Sequence, residues 1–229
     1  MTPTNPPEIV ADELTLIARL IPLDGARVLD VGCGGGTLTH ALVEKAAAAE
    51  ATGIDLADAL PSSTDTPGVH FRAGSAEALP AQDASVDVVL MMKSLHHVPV
   101  PAMDKALEEI ARVLVPGGML YVSEPVARGP FDEIMRNFHD EAQVRAEAQA
   151  ALARCRVLEP VQAFTFLSPV AFVDFADFER RMMHMPTLWR PLTPDMVTAT
   201  RTTYDRLSAA DGSFRADREN AVAVLRKPA

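Results

Sequence analysis

Val28, Leu29, Asp30, Val31, Gly32, Cys33, Gly34, Gly35 and Gly36 run a short apolar strand straight into a glycine cluster, and this junction decides the fold. A buried parallel strand reads as an apolar run. Glycines just past its end let the backbone turn sharply and approach a ligand that any Cβ would push away. Thr37, Leu38, Ala41 and Leu42 then open a helix-compatible stretch, completing the order strand, glycine loop, helix. About one βαβ unit later, Gly53, Ile54 and Asp55 end a second strand on an acid, the residue type that accepts hydrogen bonds from both hydroxyls of a ribose.

Glycine spacing separates two ligand classes. The dinucleotide fingerprint GxGxxG needs a third glycine where this chain has Thr37, which argues against a nicotinamide-dependent oxidoreductase. The loop reads GxGxG through Gly36 instead. Taken alone, it is also compatible with a tight strand-to-helix turn that holds no ligand.

At 229 residues and 48% hydrophobic, the chain is long enough for one doubly wound domain with a small insertion, and short for two. Acids outnumber bases 31 to 21 for a net charge of −10, and no block of Lys and Arg forms a phosphate-tracking stripe, so a nucleic-acid partner is not expected. Cys33 and Cys155 lack CxxC or Cys/His neighbours at metal-ligand spacing, so neither a disulfide scaffold nor a metal site is expected. Without a signal-like N-terminus or a membrane-length apolar run, the expectation is a soluble, cytoplasmic protein that does not engage membranes, with a homodimer left open.

Further along, Asn5 as N-cap, Pro6 at the first helical position and Glu8 reaching back predict a helix carrying Val10, Leu14, Ile17 and Ile21 on one face, within an N-terminal segment 1–22. Strands are expected at Arg27 to Val31, Ala51 to Asp55, Val69 to Ala73, Val86 to Met91 and Met119 to Glu124. Met103, Leu107, Ile110 and Leu114 form a helix face between the last two, stopped by Pro116, Gly117 and Gly118. Beyond that, helices are expected at Phe131 to Cys155, Asp174 to Met185 and Pro194 to Ser208. A strand at Val157 to Leu167 and a last one from Phe214 to Leu225, returning antiparallel, complete the reading. The architecture is a Rossmann-like, doubly wound α/β domain: a mostly parallel seven-stranded sheet, an antiparallel last strand and a helical lid. Within it, residues 27–125 would form a cofactor-binding half, 126–212 a substrate half and 213–226 the final strand.

Several ordered motifs carry a resemblance to a known family. They are VLDVGCGGG at Val28 to Gly36, GIDL at Gly53 to Leu56, GSAEALP at Gly74 to Pro80, VDVVLMMKSLHHV at Val86 to Val98 and LEEIARVLVPGGMLYVSEP at Leu107 to Pro125. Together they resemble the class I S-adenosylmethionine-dependent methyltransferases, most closely the subfamily that methylates small molecules. The resemblance implies S-adenosylmethionine as cofactor, with Asp30 and the backbone of Gly32, Cys33, Gly34 and Gly36 at its methionine end. It implies Asp55 on the ribose, Leu56 and Ala76 at the adenine, and Met92 and Lys93 near the sulfonium. The family commonly has an aspartate where this chain has Ser75, a weaker acceptor for the adenine amino group. That departure keeps open an alternative, a cofactor-binding protein that does not methylate.

Methyl transfer is an in-line displacement that depends on alignment more than on any obligatory side chain. A base is needed only when the acceptor must lose a proton. His97 is the candidate base, and Glu124, ending the fifth strand, is the candidate for orienting a hydroxyl or amine, with a salt bridge on the rim as the plain alternative. His96, Arg128 and Trp189 are expected on the substrate side. His40, His70, His139 and His184 read as surface or packing residues, and His139, Asp140 and Glu141 as helix neighbours pointing to different faces. Met182, Met183 and Met185 with Phe172, Phe175 and Phe178 read as core or as an acceptor pocket. Arg180, Arg181, Arg190, Arg201 and Arg206 read as a solvated face or as a clamp for an anionic substrate group.

Overall fold

The computed structural model describes residues 7–62, 65–185, 188 and 190–229, which form two compact units. The larger comprises Asp12–Glu124, Ala146–Phe164 and Ala221–Ala229. At its centre β2 (Arg27–Val31) lies parallel between β3 (Glu50–Asp55) and β5 (Val86–Met92), with Asp30 opposite both Gly53 and Leu90. β4 (Val69–Ala73) extends the sheet beyond β3, and β6 (Leu114–Pro125) beyond β5, both parallel. The chain winds one way from β2 through β3 to β4, then returns to β5 on the other side. The carboxyl ends of β2 and β5 therefore flank a topological switch point, where open α/β sheets form their ligand crevice.

Seven strands run in the order β7-β8-β6-β5-β2-β3-β4, with β7 (Glu159–Phe172) and β8 (Phe214–Arg226) passing through both units. β8 is antiparallel to β6, since Lys227 exchanges backbone hydrogen bonds with Gly117 and Gly118 while Val126 bonds to Glu219. The core is sheet against helix. Val89, Met91, Leu120 and Val122 are buried with Met103, Ala106, Leu107 and Ile110, the apolar face of α3 (Met103–Val113).

Two expectations about this unit change. The first helix is α1 (Glu13–Leu20), capped by Asp12, whose carboxylate accepts from Leu14 N at 3.1 Å, and it does not include Glu8 or Val10. Glu8–Ile9 is instead an extra strand, β1, in the other unit, pairing with Phe166 and Leu167 of β7 and giving eight strands among the described residues where seven were expected. An Asp at Ncap with its side chain already bonded is the stronger start signal, which frees the preceding residues to extend. Asn5 and Pro6 lie outside the described residues.

The smaller unit holds Met1–Ala11, Pro125–Arg145 and Thr165–Asn220. The helix expected over 131–155 is two helices, α4 (Pro130–Met135) and α5 (Ala142–Arg154). Polar side chains make the break: Asn137 donates to the Ile134 carbonyl at 3.0 Å, and Asp140 accepts from Ala142 N at 3.0 Å. An aromatic core then forms among Phe172, Phe178, Tyr204 and Phe214, with Phe172 and Phe178 edge to face at 5.1 Å. α6 (Phe175–Met182), capped by Asp174, and α7 (Pro194–Leu207), capped by Thr193, contribute to it.

Candidate cofactor site and its neighbours

At the end of β2 the backbone turns at Gly32, where φ is +81° and a Cβ would stand 2.3 Å from Cβ of Ser94. Ser94 is locked there by donating its hydroxyl to the Val31 carbonyl at 2.6 Å, so only glycine fits. Gly34 turns with φ +51°, and nothing lies within 4 Å of a Cβ built on it or on Gly35. One side of the loop is thus closed by packing and the other faces open space, the arrangement of a cradle.

Asp55, at the tip of β3, joins this loop. Its Oδ2 accepts from Gly34 N at 2.7 Å and its Oδ1 from Leu56 N at 2.8 Å. Leu56 itself is 62% exposed, an apolar face open to a flat aromatic ligand. Asp30 is buried, and its Oδ2 accepts from the Thr39 hydroxyl at 2.7 Å. Burial pushes its carboxyl up to about 6, Thr39 pulls it down, and the Asp55 charge raises it. Cys33 is pushed up to about 12 by burial and by the charges of Asp30 and Asp55, so it is an inert thiol in the loop.

The other residues expected at the cofactor fall near the same strand ends. Ala76 is buried in the core beneath a turn closed by Ala78 N donating to Ser75 O at 3.2 Å. After Met92, Lys93 adopts φ +59°, held by its N–H donating to Ser123 O at 2.7 Å. Its ammonium lies 3.6 Å from Glu13 Oε2, and Glu13 Oε1 accepts the buried Tyr121 hydroxyl at 3.0 Å. Burial, reinforced by Glu13, keeps that phenol protonated.

Glu124 is fully buried, so the rim salt bridge does not hold. Its Oε1 accepts from His96 N at 3.2 Å and its Oε2 meets His96 Nδ1. Its carboxylate therefore fixes the short turn Leu95–His97 and the buried His96 ring. The exposed His97 ring stands 4.1 Å from that of His96, centroid to centroid.

The smaller unit takes the remaining candidates. Arg128 pairs with Glu219, and Trp189 lies outside the described residues. Arg180 and Arg181 share Asp177, Arg201 pairs with Asp205 and Arg206 with Glu133, so each of the four has a carboxylate partner on the surface. The core reading holds for Phe172, Phe178 and Met183, with Phe175, Met182 and Met185 packed against them, and Met183 and Met185 also line a groove of about 550 Å³ with Leu188, Arg190 and Leu192.

His139 and Glu141 were expected to point apart. They lie in the helix break and meet at 2.9 Å. They belong to an ionic cluster that sequence reading missed. Asp132 Oδ1 accepts from Arg145 Nη1 at 2.9 Å and Arg218 Nη2 at 3.0 Å, and Arg145 Nη2 reaches Glu141 Oε2 at 2.5 Å.

Glycine loop, acid at the next strand's end and sheet reversal together define a nucleotide-cofactor α/β domain. Residues 28–118 match the family model described as methyltransferase domain. A ubiquinone biosynthesis O-methyltransferase of Paracidovorax citrulli is 43% identical over 126 residues, 51% of this chain and 50% of that protein, and one of Xylella fastidiosa is 43% identical over 117 residues. The chain spans about half the length of the curated relatives it matches. Among solved structures, the YcgJ protein from Bacillus subtilis is similar with a TM-score of 0.64 and 21% identity, covering 94% of this chain and 98% of that one. The [4+2]-cyclase SpnF gives 0.60 and 24%, covering 93% and 80%. These likenesses show the fold. Over residues 28–118 the chain is similar to methyltransferase domains.

Proposed function

We propose that this protein transfers the methyl group of S-adenosylmethionine to an oxygen of a small organic acceptor. The observation that carries the reading is the Asp55 carboxylate bound to Gly34 N at 2.7 Å beside the switch point of the sheet. The cofactor fits the residues present. The open side of Gly34 and Gly35 admits its methionine end, Asp30 answers its ammonium, Asp55 its ribose hydroxyls and Leu56 its adenine. When bound, it supplies an electrophilic methyl on a sulfonium. An oxygen acceptor is supported by the likeness to ubiquinone biosynthesis O-methyltransferases.

His97 takes the proton of the acceptor hydroxyl, worth on the order of 10²- to 10⁴-fold in rate. Glu124 acts through the His96 imidazole and backbone rather than on the acceptor directly, and Arg128, His96 and Trp189 are the remaining substrate-side candidates. In this reading the whole chain works as one enzyme, residues 27–125 holding cofactor and 126–212 the acceptor. Two free cysteines suit a reducing cytoplasm. Among the described residues no helix is long and apolar enough to cross a membrane. A homodimer is compatible with this reading.

Incubation with S-adenosylmethionine and a panel of phenols and catechols tests it, with S-adenosylhomocysteine release as the readout. Turnover that falls at least 100-fold in His97→Ala supports both the reaction and the base. Tight binding of S-adenosylhomocysteine without turnover on any acceptor would support the alternative that Ser75 favours, a cofactor-binding protein with no methyl transfer.

A further inference from the structure

Thr39 has no place in the resemblance, yet it is fully buried on α2 (Thr37–Ala46), directly behind the glycine loop. A threonine inside a helix ordinarily donates its hydroxyl to the carbonyl four residues back. Thr198, Thr200, Thr202 and Thr203 of α7 all do so, at 2.7 to 3.0 Å. Thr39 stands in the first turn of α2, where the carbonyl four residues back belongs to Gly35 and precedes the helix, so its hydroxyl turns elsewhere. Its Oγ1 is 2.7 Å from Asp30 Oδ2, on the neighbouring strand.

We infer that Thr39 is a positioning residue for cofactor binding, holding Asp30 ionised and oriented so that Oδ1 receives the cofactor's ammonium group. The inference rests on the proposed cofactor site and adds to it a residue that acts through Asp30 alone. Asp30 needs such support. It is buried beside Cys33 and faces the Asp55 charge from β3, and both burial and Asp55 favour its neutral form, which could not hold an ammonium. The groups acting on Asp30 are thus Thr39 from α2, Asp55 from β3 and the neutral Cys33 thiol of the loop.

Calorimetry on the full chain between pH 5.5 and 7.5 tests this with two probes. S-adenosylhomocysteine carries the ammonium, and 5′-methylthioadenosine keeps the nucleoside but lacks it. Thr39→Val is expected to weaken S-adenosylhomocysteine about tenfold near pH 6.5. The loss should shrink as the pH rises and Asp30 ionises without help. Thr39→Ser should restore wild-type binding, and 5′-methylthioadenosine should bind all three proteins alike, which also shows that the variants are folded. Equal losses for both probes, a loss independent of pH, or no loss at all would overturn the role of Thr39 while leaving the cofactor site standing. Wild-type protein that binds neither probe would overturn the site and the inference together.

Discussion

Asp55 and Gly34 are 21 residues apart in sequence, and the carboxylate of one accepts the backbone N–H of the other at 2.7 Å. The side chain that answers a ribose therefore also shapes the loop that approaches the rest of the cofactor. Hydrogen bonds to a charged group contribute about 1.5 to 3 kcal/mol each. Asp55→Ala should remove more than one of them and weaken S-adenosylhomocysteine by at least about 100-fold in calorimetry. Asp55→Asn keeps an acceptor for Gly34 and should lose less. Unchanged affinity in Asp55→Ala would move the ribose elsewhere.

Gly32 has no room for a side chain. An alanine there would drive its Cβ into Ser94 at 2.3 Å and also adopt φ +81°. Left-handed strain costs on the order of 1 to 3 kcal/mol before the clash is counted. Gly32→Ala should lower the urea midpoint clearly, and Ser94→Gly in the same chain should recover the part due to the clash. A single variant as stable as wild type would show that the turn relaxes freely.

Cys33 should resist alkylation. With its thiol pushed up to about 12, the thiolate fraction at pH 8 is on the order of one in ten thousand. Iodoacetamide followed by peptide mass mapping should leave Cys33 unmodified in the folded protein and modify it readily in urea. Rapid labelling of folded Cys33 would mean that the loop is more open than its packing shows.

How much of this was readable beforehand depended on how far apart the cooperating residues lie. The apolar run of β2 at Arg27–Val31 marked that strand to the residue, because a buried parallel strand needs nothing beyond its own side chains to declare itself, and Val69 and Phe71 marked the edge strand β4 at Val69–Ala73. The glycine loop and Asp55 were legible for the same reason: backbone freedom and a strand-end acid are local signals. The helix break at Asn137 and Asp140 was not, since those side chains compete with the helix only through their particular bonds. Glu8–Ile9 became a strand because of a partner more than 150 residues away. Tyr121 meets Glu13 across 108 residues, and Glu124 meets His96 across 28, pairings that no periodicity encodes. Thr39 could have been suspected, as a hydroxyl nine residues beyond a buried acid, but only the fold shows which carboxylate it serves.

The Asp132 cluster makes a separate stability prediction. Asp132 and Arg145 are buried, and Asp132 Oδ2 and Arg145 Nε have no hydrogen-bond partner, so the cluster is already costly. Arg145→Met would leave Asp132 with Arg218 alone, and should destabilise by about 3 to 5 kcal/mol in urea denaturation. Adding Asp132→Asn should cost less than it does in the wild-type background, because the Arg145–Asp132 ion pair is already gone. Strict additivity of the two changes would show that the residues do not act as a pair.

Asp30 ties stability to binding with opposite signs. Its folded value of about 6 stands above the ordinary 3.8, so the folded protein holds that proton more tightly than the unfolded chain. Stability from this group is therefore full below about pH 4, declines as the pH rises towards 6, and stays low above it. At pH 7 the buried charge costs on the order of 3 kcal/mol. Asp30→Asn removes the charge, and should make the ligand-free protein more stable than wild type at pH 7 and little different at pH 4. The same substitution should weaken S-adenosylhomocysteine, because an amide answers an ammonium poorly. Urea denaturation at both pH values, paired with calorimetry at pH 7, separates these effects. An Asp30→Asn protein less stable than wild type at pH 7 would mean that the ionised carboxylate is satisfied by the fold itself, with nothing held in reserve for a cofactor.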